Sequence, residues 1–247
     1  MRNIKLTLQY DGTRYLGWSR PEKDGREKTV SHRISSVLVR LTGTPVVLFA
    51  GAKTESRVHA LAQTANFQTE SLLSPEELRA TLNQYLPQDI SVLCCEQAPE
   101  RFRADLNAVS RTYEYRICTS EIYDVFTAAY SAHLHPAPDL EAMRRAADLL
   151  MGEHDFSGFS GARKKKNTQK KVLEIRIGFS DDIPDLLVLS LTADDFLYQM
   201  PSLIAGTLLD VGQHKLAPDK ITDILNGQQK AGTHCDPKGL FLHSVTY

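Results

Sequence analysis

The sequence has few cysteines and no long hydrophobic run. Its four cysteines include an adjacent pair and no C-x-x-C spacing, which excludes a zinc ribbon and a disulfide framework. We therefore expect buried free thiols. No apolar stretch approaches the roughly 20 residues of a membrane helix, and the N-terminal segment alternates in hydrophobicity instead of forming a signal-peptide core. A cytoplasmic protein without a membrane partner is the expectation.

Several chemical motifs are also absent. The chain has no G-x-x-x-x-G-K-[ST], no G-x-G-x-x-G and no G-x-S-x-G, so a nucleotide cofactor and a serine hydrolase lack their usual signals. His133, His135 and His154 lack a defined set of metal-ligand neighbours, and we expect solvated or core histidines with no metal. The net charge of -1 excludes a globally basic nucleic-acid coat. Any contact with nucleic acid must be local.

What the sequence does contain is an ordinary globular composition with 42% hydrophobic and 24% charged residues. Apolar residues alternate from Ile4 to Tyr10, which predicts a first strand that ends at the turn Asp11-Gly12. Ser74-Pro75-Glu76-Glu77 predicts the start of a helix. The side chains that this helix is expected to bury are Leu78, Leu82 and Tyr85.

The second half shows a similar mixture of strands and helices. A strand around Tyr113 is followed by a helix and by a strand with Leu173, Ile175, Ile177 and Phe179 inward. A further helix is expected to begin at or just before Pro201, which places Ser202 in its first turn. This order predicts an α+β fold of two related halves, 1–100 and 101–247, each a mostly antiparallel sheet with helices on one face.

Two segments bear concentrated charge. In residues 163–171, six of nine side chains are cationic and none is acidic, so we predict a loop that either binds a phosphate backbone or is simply solvated. Residues 51–59 place Glu55 between the cations Lys53 and Arg57, between two predicted strands. Such a loop suits a nucleophile or a general base, although a surface turn has the same composition.

Five segments occur in the order and spacing of one known family. They are Y-D-G-x-x-Y-x-G-W at 10–18, N-x-x-L-P-x-D-I at 83–90, R-x-Y-x-Y at 111–115, G-x-H-D-F at 152–156 and a closing strand at 239–247. Together they resemble the tRNA pseudouridine synthase A family over essentially the whole chain. The resemblance implies two α+β halves around a central RNA-binding cleft, no cofactor or metal, and usually a homodimer that binds the anticodon arm of tRNA.

The resemblance also implies site residues. Glu55 matches the family's catalytic aspartate, Tyr113 matches the tyrosine at the target base, and Ser202 matches an arginine that pairs with the aspartate. Arg57 stands at a glycine position and, with Lys53, is a possible counter-cation for Glu55. Asp105 stands where the family usually has an arginine. The expected RNA-binding residues are Arg111, Arg163, Lys164, Lys165, Lys166, Lys170 and Lys171.

Two hypotheses follow from these departures. In the first, the protein is an active synthase that uses Glu55 as its carboxylate. In the second, it retains the tRNA-shaped cleft and the basic segment but has lost isomerisation, because the aspartate and its arginine partner have both been replaced. For an enzyme, Glu55→Gln should abolish pseudouridine formation and leave tRNA affinity nearly intact, whereas a binding protein should be indifferent to the substitution.

Overall fold

The computed structural model describes residues 1–19, 25–163 and 166–247, which form two compact units. The first unit is Met1–Val109 with Phe241–Tyr247, and the second is Ser110–Leu240. The sequence-based division near residue 100 places the C-terminal strand in the second half. In the structure that strand belongs to the first unit, because Phe241 and Leu242 pair in parallel with His59 and Ala60.

The strands and helices of the described residues mix without strict alternation. The strands are β1 (Arg2–Tyr10), β2 (Phe49–Ala50), β3 (His59–Thr69), β4 (Ile90–Ala98), β5 (Ser110–Cys118), β6 (Ala132–His133), β7 (Gly152–Asp155), β8 (Gln169–Phe179), β9 (Leu186–Ala193) and β10 (Leu240–Thr246). The helices are α1 (Val30–Thr42), α2 (Pro75–Tyr85), α3 (Leu140–Asp148), α4 (Met200–Gly212) and α5 (Lys220–Leu225). Short 3-10 helices occupy Arg26–Lys28, Phe156–Phe159 and Pro237–Gly239.

Each unit contains a mostly antiparallel set of strands. In the first unit the strand order is β4-β1-β3-β10, with β2 beside β3, and β1 is antiparallel to both of its neighbours. In the second unit β5, β9, β8 and β7 follow one another in antiparallel pairs, and β6 adds to β5 in parallel. The predicted α+β class is confirmed. None of the helices in the described ranges has the length and apolar character needed to cross a membrane.

Local sequence signals account for the first unit. Ile4, Leu6 and Leu8 are fully buried, as the period-2 alternation of β1 predicts. Ser74 and Glu77 form a reciprocal capping box at the start of α2, so two of the helix's unpaired backbone N–H groups gain acceptors. Gly43 ends α1 in the left-handed conformation, with φ 70°.

Several expectations about burial are wrong. Tyr85 is 61% exposed, because it is the last residue of α2, where the helix leaves its buried face. Leu173 and Phe179 are 41% and 48% exposed. The pairing of β8 with β9 shifts register between Val172 and Glu174, so Val172 takes the inward position instead of Leu173.

Two further expectations need correction. Cys94 is exposed, whereas the other three cysteines are buried free thiols. Burial raises the pKa of the Cys95 thiol to about 12. Lys170 and Lys171 do not lie in a loop, because β8 begins at Gln169 and pairs them with His154 and Glu153 of β7.

Candidate active site

Glu55 lies on a loop between β2 and β3 whose backbone is fixed by hydrogen bonds. The N–H of Trp18 donates to the carbonyl of Thr54 at 2.9 Å, and the N–H of Arg57 donates to the carbonyl of Tyr15 at 3.1 Å. At the start of the loop, the Gln63 amide donates to the Ala52 carbonyl at 2.7 Å and accepts from the Ala52 N–H at 3.2 Å. Glu55 itself is partly exposed. A carboxylate on such a loop has a defined position and access to a substrate.

The opening motif packs directly against this loop through its two glycines. A Cβ on Gly12 would lie 2.1 Å from the carbonyl oxygen of Val58, and one on Gly17 would lie 2.6 Å from that of Thr54. Gly17 also has φ 94°, a conformation that residues with side chains rarely adopt. Because Gly12 and Gly17 have no side chains, the backbone of the opening motif can contact the backbone of the Glu55 loop directly.

The hydroxyl of Tyr10 also supports the Glu55 loop, through hydrogen bonds with Thr54 and Gln63. It lies 2.6 Å from the Thr54 hydroxyl, and the Gln63 amide donates to it at 3.5 Å. Complete burial raises the pKa of Tyr10 to about 12, so the phenol stays protonated at neutral pH. Tyr10 is a structural support of the loop and is not a candidate proton acceptor.

Arg57, which stands at a glycine position of the family motif, has a backbone conformation that glycine adopts most easily. Its φ is 66°, in the left-handed region, and its side chain is exposed. Arginine at this position is therefore strained, and it places a cation two residues from Glu55. Lys53, the other possible counter-cation, is also exposed.

Asp105 places a negative charge where the family usually has a positive one, and the side chain of Arg103 neutralises that charge. The Arg103 guanidinium binds both carboxylate oxygens, at 2.9 Å and 2.8 Å. This hydrogen bonding lowers the pKa of Asp105, with a smaller contribution from Lys53. The pair leaves little unbalanced negative charge at this position.

In the second unit, the predicted base-contacting tyrosine lies on β5. Tyr113 is 7% exposed, and its ring packs edge-on against Phe196 with centroids 5.2 Å apart. Phe196 begins the segment that matches the family's arginine motif. The structure thus brings together two residues that are 83 positions apart in sequence, one from each of two motifs.

Ser202 lies in the first turn of α4, as the position of Pro201 predicts. It is 6% exposed, with its hydroxyl 3.5 Å from Nδ1 of His234 and 3.6 Å from the thiol of Cys235. A serine hydroxyl has no charge and a short reach, so it cannot replace a guanidinium as a bidentate partner of a carboxylate.

The cations expected to bind RNA fall into two groups. Arg111 and Lys170 converge on the carboxylate of Asp195, with N–O distances of 3.7 Å and 2.7 Å, and both side chains are largely buried. Arg163, Lys166 and Lys171 are exposed. Lys164 and Lys165 lie outside the described residues.

His133 and His135 each form a hydrogen bond with a backbone carbonyl of residues 119–120.

Sequence reasoning did not identify how the first two motifs join. Asp89 accepts a hydrogen bond from the hydroxyl of Tyr15 at 2.6 Å and also binds the Arg14 guanidinium. The side-chain amide of Asn83 accepts a hydrogen bond from the Val92 N–H at 2.7 Å and donates one to the Val92 carbonyl at 2.9 Å. It thus pairs with the backbone of β4 as a residue of a neighbouring strand would. Tyr15 and Asp89 therefore join the two motifs beside the Glu55 loop, whereas Asn83 supports β4. The role of Gln63 in holding the Glu55 loop could not be predicted, because in sequence Gln63 is one polar residue of strand β3 and belongs to no motif.

The comparison with protein families defines the class. A family model described as tRNA pseudouridine synthase matches residues 7–106 and 146–247. The chain belongs to this family, as the five motifs predict. The matched ranges include the Glu55 loop and the segment of Ser202.

Similar individual proteins cover the chain from end to end. "tRNA pseudouridine synthase A 2" of Bacillus anthracis is 35% identical over 100% of both chains. "tRNA pseudouridine synthase A" of Caldicellulosiruptor bescii is 37% identical, also over 100% of both chains. Among solved structures, a Cbf5-Nop10-Gar1 complex aligns with 83% of this chain and 45% of that chain at 11% identity and a TM-score of 0.35, too remote to inform fold or function.

Proposed function

We propose that this protein isomerises uridine to pseudouridine in the anticodon arm of tRNA, with Glu55 as the catalytic carboxylate. The main support is the loop geometry. Arg57 has a left-handed φ of 66°, and backbone hydrogen bonds with the opening motif hold Thr54 and Arg57 on the two sides of Glu55. Glu55 thus has a fixed backbone position, which suits the catalytic role that the family resemblance assigns to it. We also propose that a homodimer binds the tRNA.

The reaction breaks the bond between N1 of uracil and C1′ of the ribose, turns the base and joins C5 to C1′. A carboxylate assists by adding covalently or by removing a proton from the sugar. Glutamate is longer than aspartate by one methylene, about 1.5 Å, and a misplacement of about 1 Å can cost on the order of 100-fold. We therefore expect a slow enzyme. Tyr113, packed on Phe196, is the proposed contact for the base.

One observation favours a second candidate function, a tRNA-binding protein that has lost isomerisation. Ser202 is buried and uncharged at the position of the family's arginine. Without a guanidinium there, the carboxylate relies on another cation for orientation and charge stabilisation. Arg57 and Lys53 are the proposed substitutes, because they flank Glu55 in sequence and are exposed.

Single-turnover tritium release separates the two candidates. Excess protein is mixed with tRNA transcripts that contain [5-³H]uridine, because joining C5 to C1′ releases the tritium. If Glu55 is catalytic, Glu55→Gln abolishes release and leaves tRNA affinity nearly intact in filter binding. Glu70→Gln, which removes an exposed carboxylate in the same unit, is the matched control and retains release. Binding without release by the unaltered protein contradicts catalysis and supports the binding function.

A second experiment tests whether the site is limited by its missing arginine. The double variant Glu55→Asp with Ser202→Arg restores the family pair. We expect faster tritium release than in the unaltered protein, since both residue types that the family resemblance assigns to these positions are restored. Ser202 is 6% exposed, so the stability of each single variant is measured by urea unfolding alongside. A stable double variant with no gain argues that Glu55 already has an adequate cation.

We propose that the basic segment 163–171 supplies phosphate contacts. Exposed lysines release counterions when they bind phosphate, so their loss weakens binding and reduces its salt dependence. Neutralising Lys164, Lys165 and Lys166 together is expected to reduce both the affinity for tRNA and the slope of affinity against salt. Unchanged binding would make the segment a solvated surface only.

A further inference from the structure

A groove in the first unit has a basic lining that the family motifs do not account for. It runs between α1 and the C-terminal end of α2, is bordered by the Arg14-Tyr15 turn, and has a volume of about 680 Å³. Its lining includes Arg14, Lys28, Arg33, Arg40 and Tyr85. No lining residue in the described part of the chain is acidic.

Three of the lining cations lie on α1 or just before it. Arg33 and Arg40 are seven residues apart on α1 and thus share one helix face, and Lys28 precedes the helix. Within residues 1–19, 25–163 and 166–247, none of these three forms an ion pair. Arg14 differs, since Asp89 binds its guanidinium and thereby raises its pKa. The Asp89 side chain is 12% exposed, and its two carboxylate oxygens bind the Arg14 guanidinium and the Tyr15 hydroxyl.

An aromatic side chain stands at the rim of the same groove. Tyr85 is 61% exposed although its neighbours Leu82 and Leu86 are buried. Exposed aromatic rings among cations suit nucleic acids, because every base has a flat face that stacks on them regardless of sequence. This combination favours RNA over an acidic polypeptide, which would use the charges but not the ring.

The groove and the loop of the proposed catalytic residue share one residue, Tyr15. Tyr15 lines the groove, and its backbone carbonyl accepts the hydrogen bond of Arg57 at 3.1 Å. An RNA strand in the groove would therefore contact a residue that also fixes the Glu55 loop. On α1, the seven-residue separation of Arg33 and Arg40 corresponds to about 10 Å along the helix axis, enough for each to contact a different phosphate.

We propose that this groove binds the sugar-phosphate backbone of the tRNA, with Lys28, Arg33 and Arg40 on phosphates and Tyr85 on a base or ribose. The proposal rests on the proposed function for the identity of the RNA. It adds a second phosphate-binding surface to the protein, in a unit whose sequence showed no charge run.

Filter binding of an unmodified tRNA transcript at several salt concentrations tests the electrostatic part. The double variant Arg33→Gln with Arg40→Gln is compared with Arg79→Gln with Arg145→Gln, which removes two exposed arginines outside the groove. Each lost phosphate contact lowers the slope of log affinity against log salt by up to about 1. We expect the groove variant to lose about 1.5 in slope and about tenfold in affinity at low salt. The control variant should match the unaltered protein.

Tyr85→Leu tests the aromatic part without changing charge. Loss of a stacked base is expected to weaken binding at least about fivefold while leaving the salt slope unchanged. Phe126→Leu, which removes an exposed ring in the second unit away from the segments assigned to the site, is the matched control. Equal binding by the Tyr85 and Phe126 variants would overturn the stacking contact.

The outcomes distinguish this proposal from the proposed function. Groove and control variants with equal affinity and slope overturn the groove even if the unaltered protein releases tritium. A groove-specific loss of binding supports it even if no tritium is released, in which case isomerisation alone fails. Poly-L-glutamate that displaces tRNA at equal charge concentration, with equal sensitivity to the groove variants, overturns the assignment to RNA and indicates an acidic protein partner.

Discussion

Arg57 occupies a backbone conformation that glycine adopts more easily. With φ 66°, its Cβ approaches the following carbonyl, which costs about 1–2 kcal/mol in a non-glycine residue. The turn nevertheless keeps its shape, because the Arg57 N–H is bonded to Tyr15 and the Val58 N–H is bonded to Glu55. Tertiary contacts therefore impose the conformation that the local sequence disfavours.

Arg57→Gly is expected to stabilise the protein and to reveal whether the guanidinium is used. Relief of the left-handed strain exceeds the added entropy of the unfolded chain, so the free energy of unfolding should rise by about 0.5–1 kcal/mol. Urea unfolding measures this change. Arg57→Ala retains the strain and is the control for loss of charge.

Tritium release by the same two variants tests the counter-cation. If Arg57 serves Glu55, both substitutions lower the rate to a similar extent, although only the glycine variant gains stability. A glycine variant no more stable than the alanine variant would contradict the claim of strain.

At the scale of elements, the Glu55 loop depends on a second loop more than on its own residues. The opening motif contributes Gly12 and Gly17, whose missing side chains let the two backbones touch. Tyr15 then joins this motif to Asp89, which follows α2. Three separated segments thus form one support for the carboxylate.

Gly17→Ala is expected to disrupt this support. It adds both a left-handed penalty and a Cβ 2.6 Å from the Thr54 carbonyl. We expect a loss of at least about 2 kcal/mol in the free energy of unfolding, measured by urea unfolding. A marked loss of tritium release should accompany it, because the loop must shift.

Gly43→Ala is the control that separates the cost of a left-handed backbone from the cost of the steric contact at Gly17. Gly43 has φ 70°, but among the described residues no group beyond its chain neighbours and its own helix lies within 4 Å of the position that a Cβ would take, so only the left-handed penalty of about 1 kcal/mol applies. Its tritium release should be unchanged. Equal destabilisation by the two substitutions would show that loop-to-loop contact contributes little at Gly17.

At the scale of the whole molecule, buried tyrosines contribute to the response to alkaline pH, together with the buried thiol of Cys95. Burial raises the pKa of Tyr10 to about 12 and also raises the pKa values of Tyr15 and Tyr115. An unfolded tyrosine ionises at about 10. The unfolded state thus loses protons first, and the stability that these phenols contribute is complete below about pH 10 and falls as the pH rises toward about 12.

Urea unfolding at a series of pH values above neutrality measures this loss. Stability is expected to decrease from about pH 9 upward, first through the buried Cys95 thiol and from about pH 10 through the tyrosines as well. Tyr10→Phe should make the decrease shallower, while at about pH 8 it should lose some stability because the hydrogen bond with Thr54 is gone. Tyr198→Phe, at an exposed position, is the control. A decrease of the same steepness in all three proteins would contradict the assignment to Tyr10.

The sequence by itself determined the class of fold, most elements and the family. Alternation in β1, the capping box of α2 and Gly43 at the end of α1 are local signals, since each depends on residues a few positions apart. The motif at residues 51–59 also named the candidate carboxylate, Glu55.

Only the tertiary structure decided which residues support the site and where surfaces lie. The exposure of Tyr85, the shift at Val172 in β8 and the return of β10 to the first unit all depend on packing or pairing with distant segments. The closure of Gly17 on Thr54 likewise joins residues far apart in sequence. Such contacts leave no periodic trace in the chain, because burial and close approach are properties of two segments together and not of either one alone.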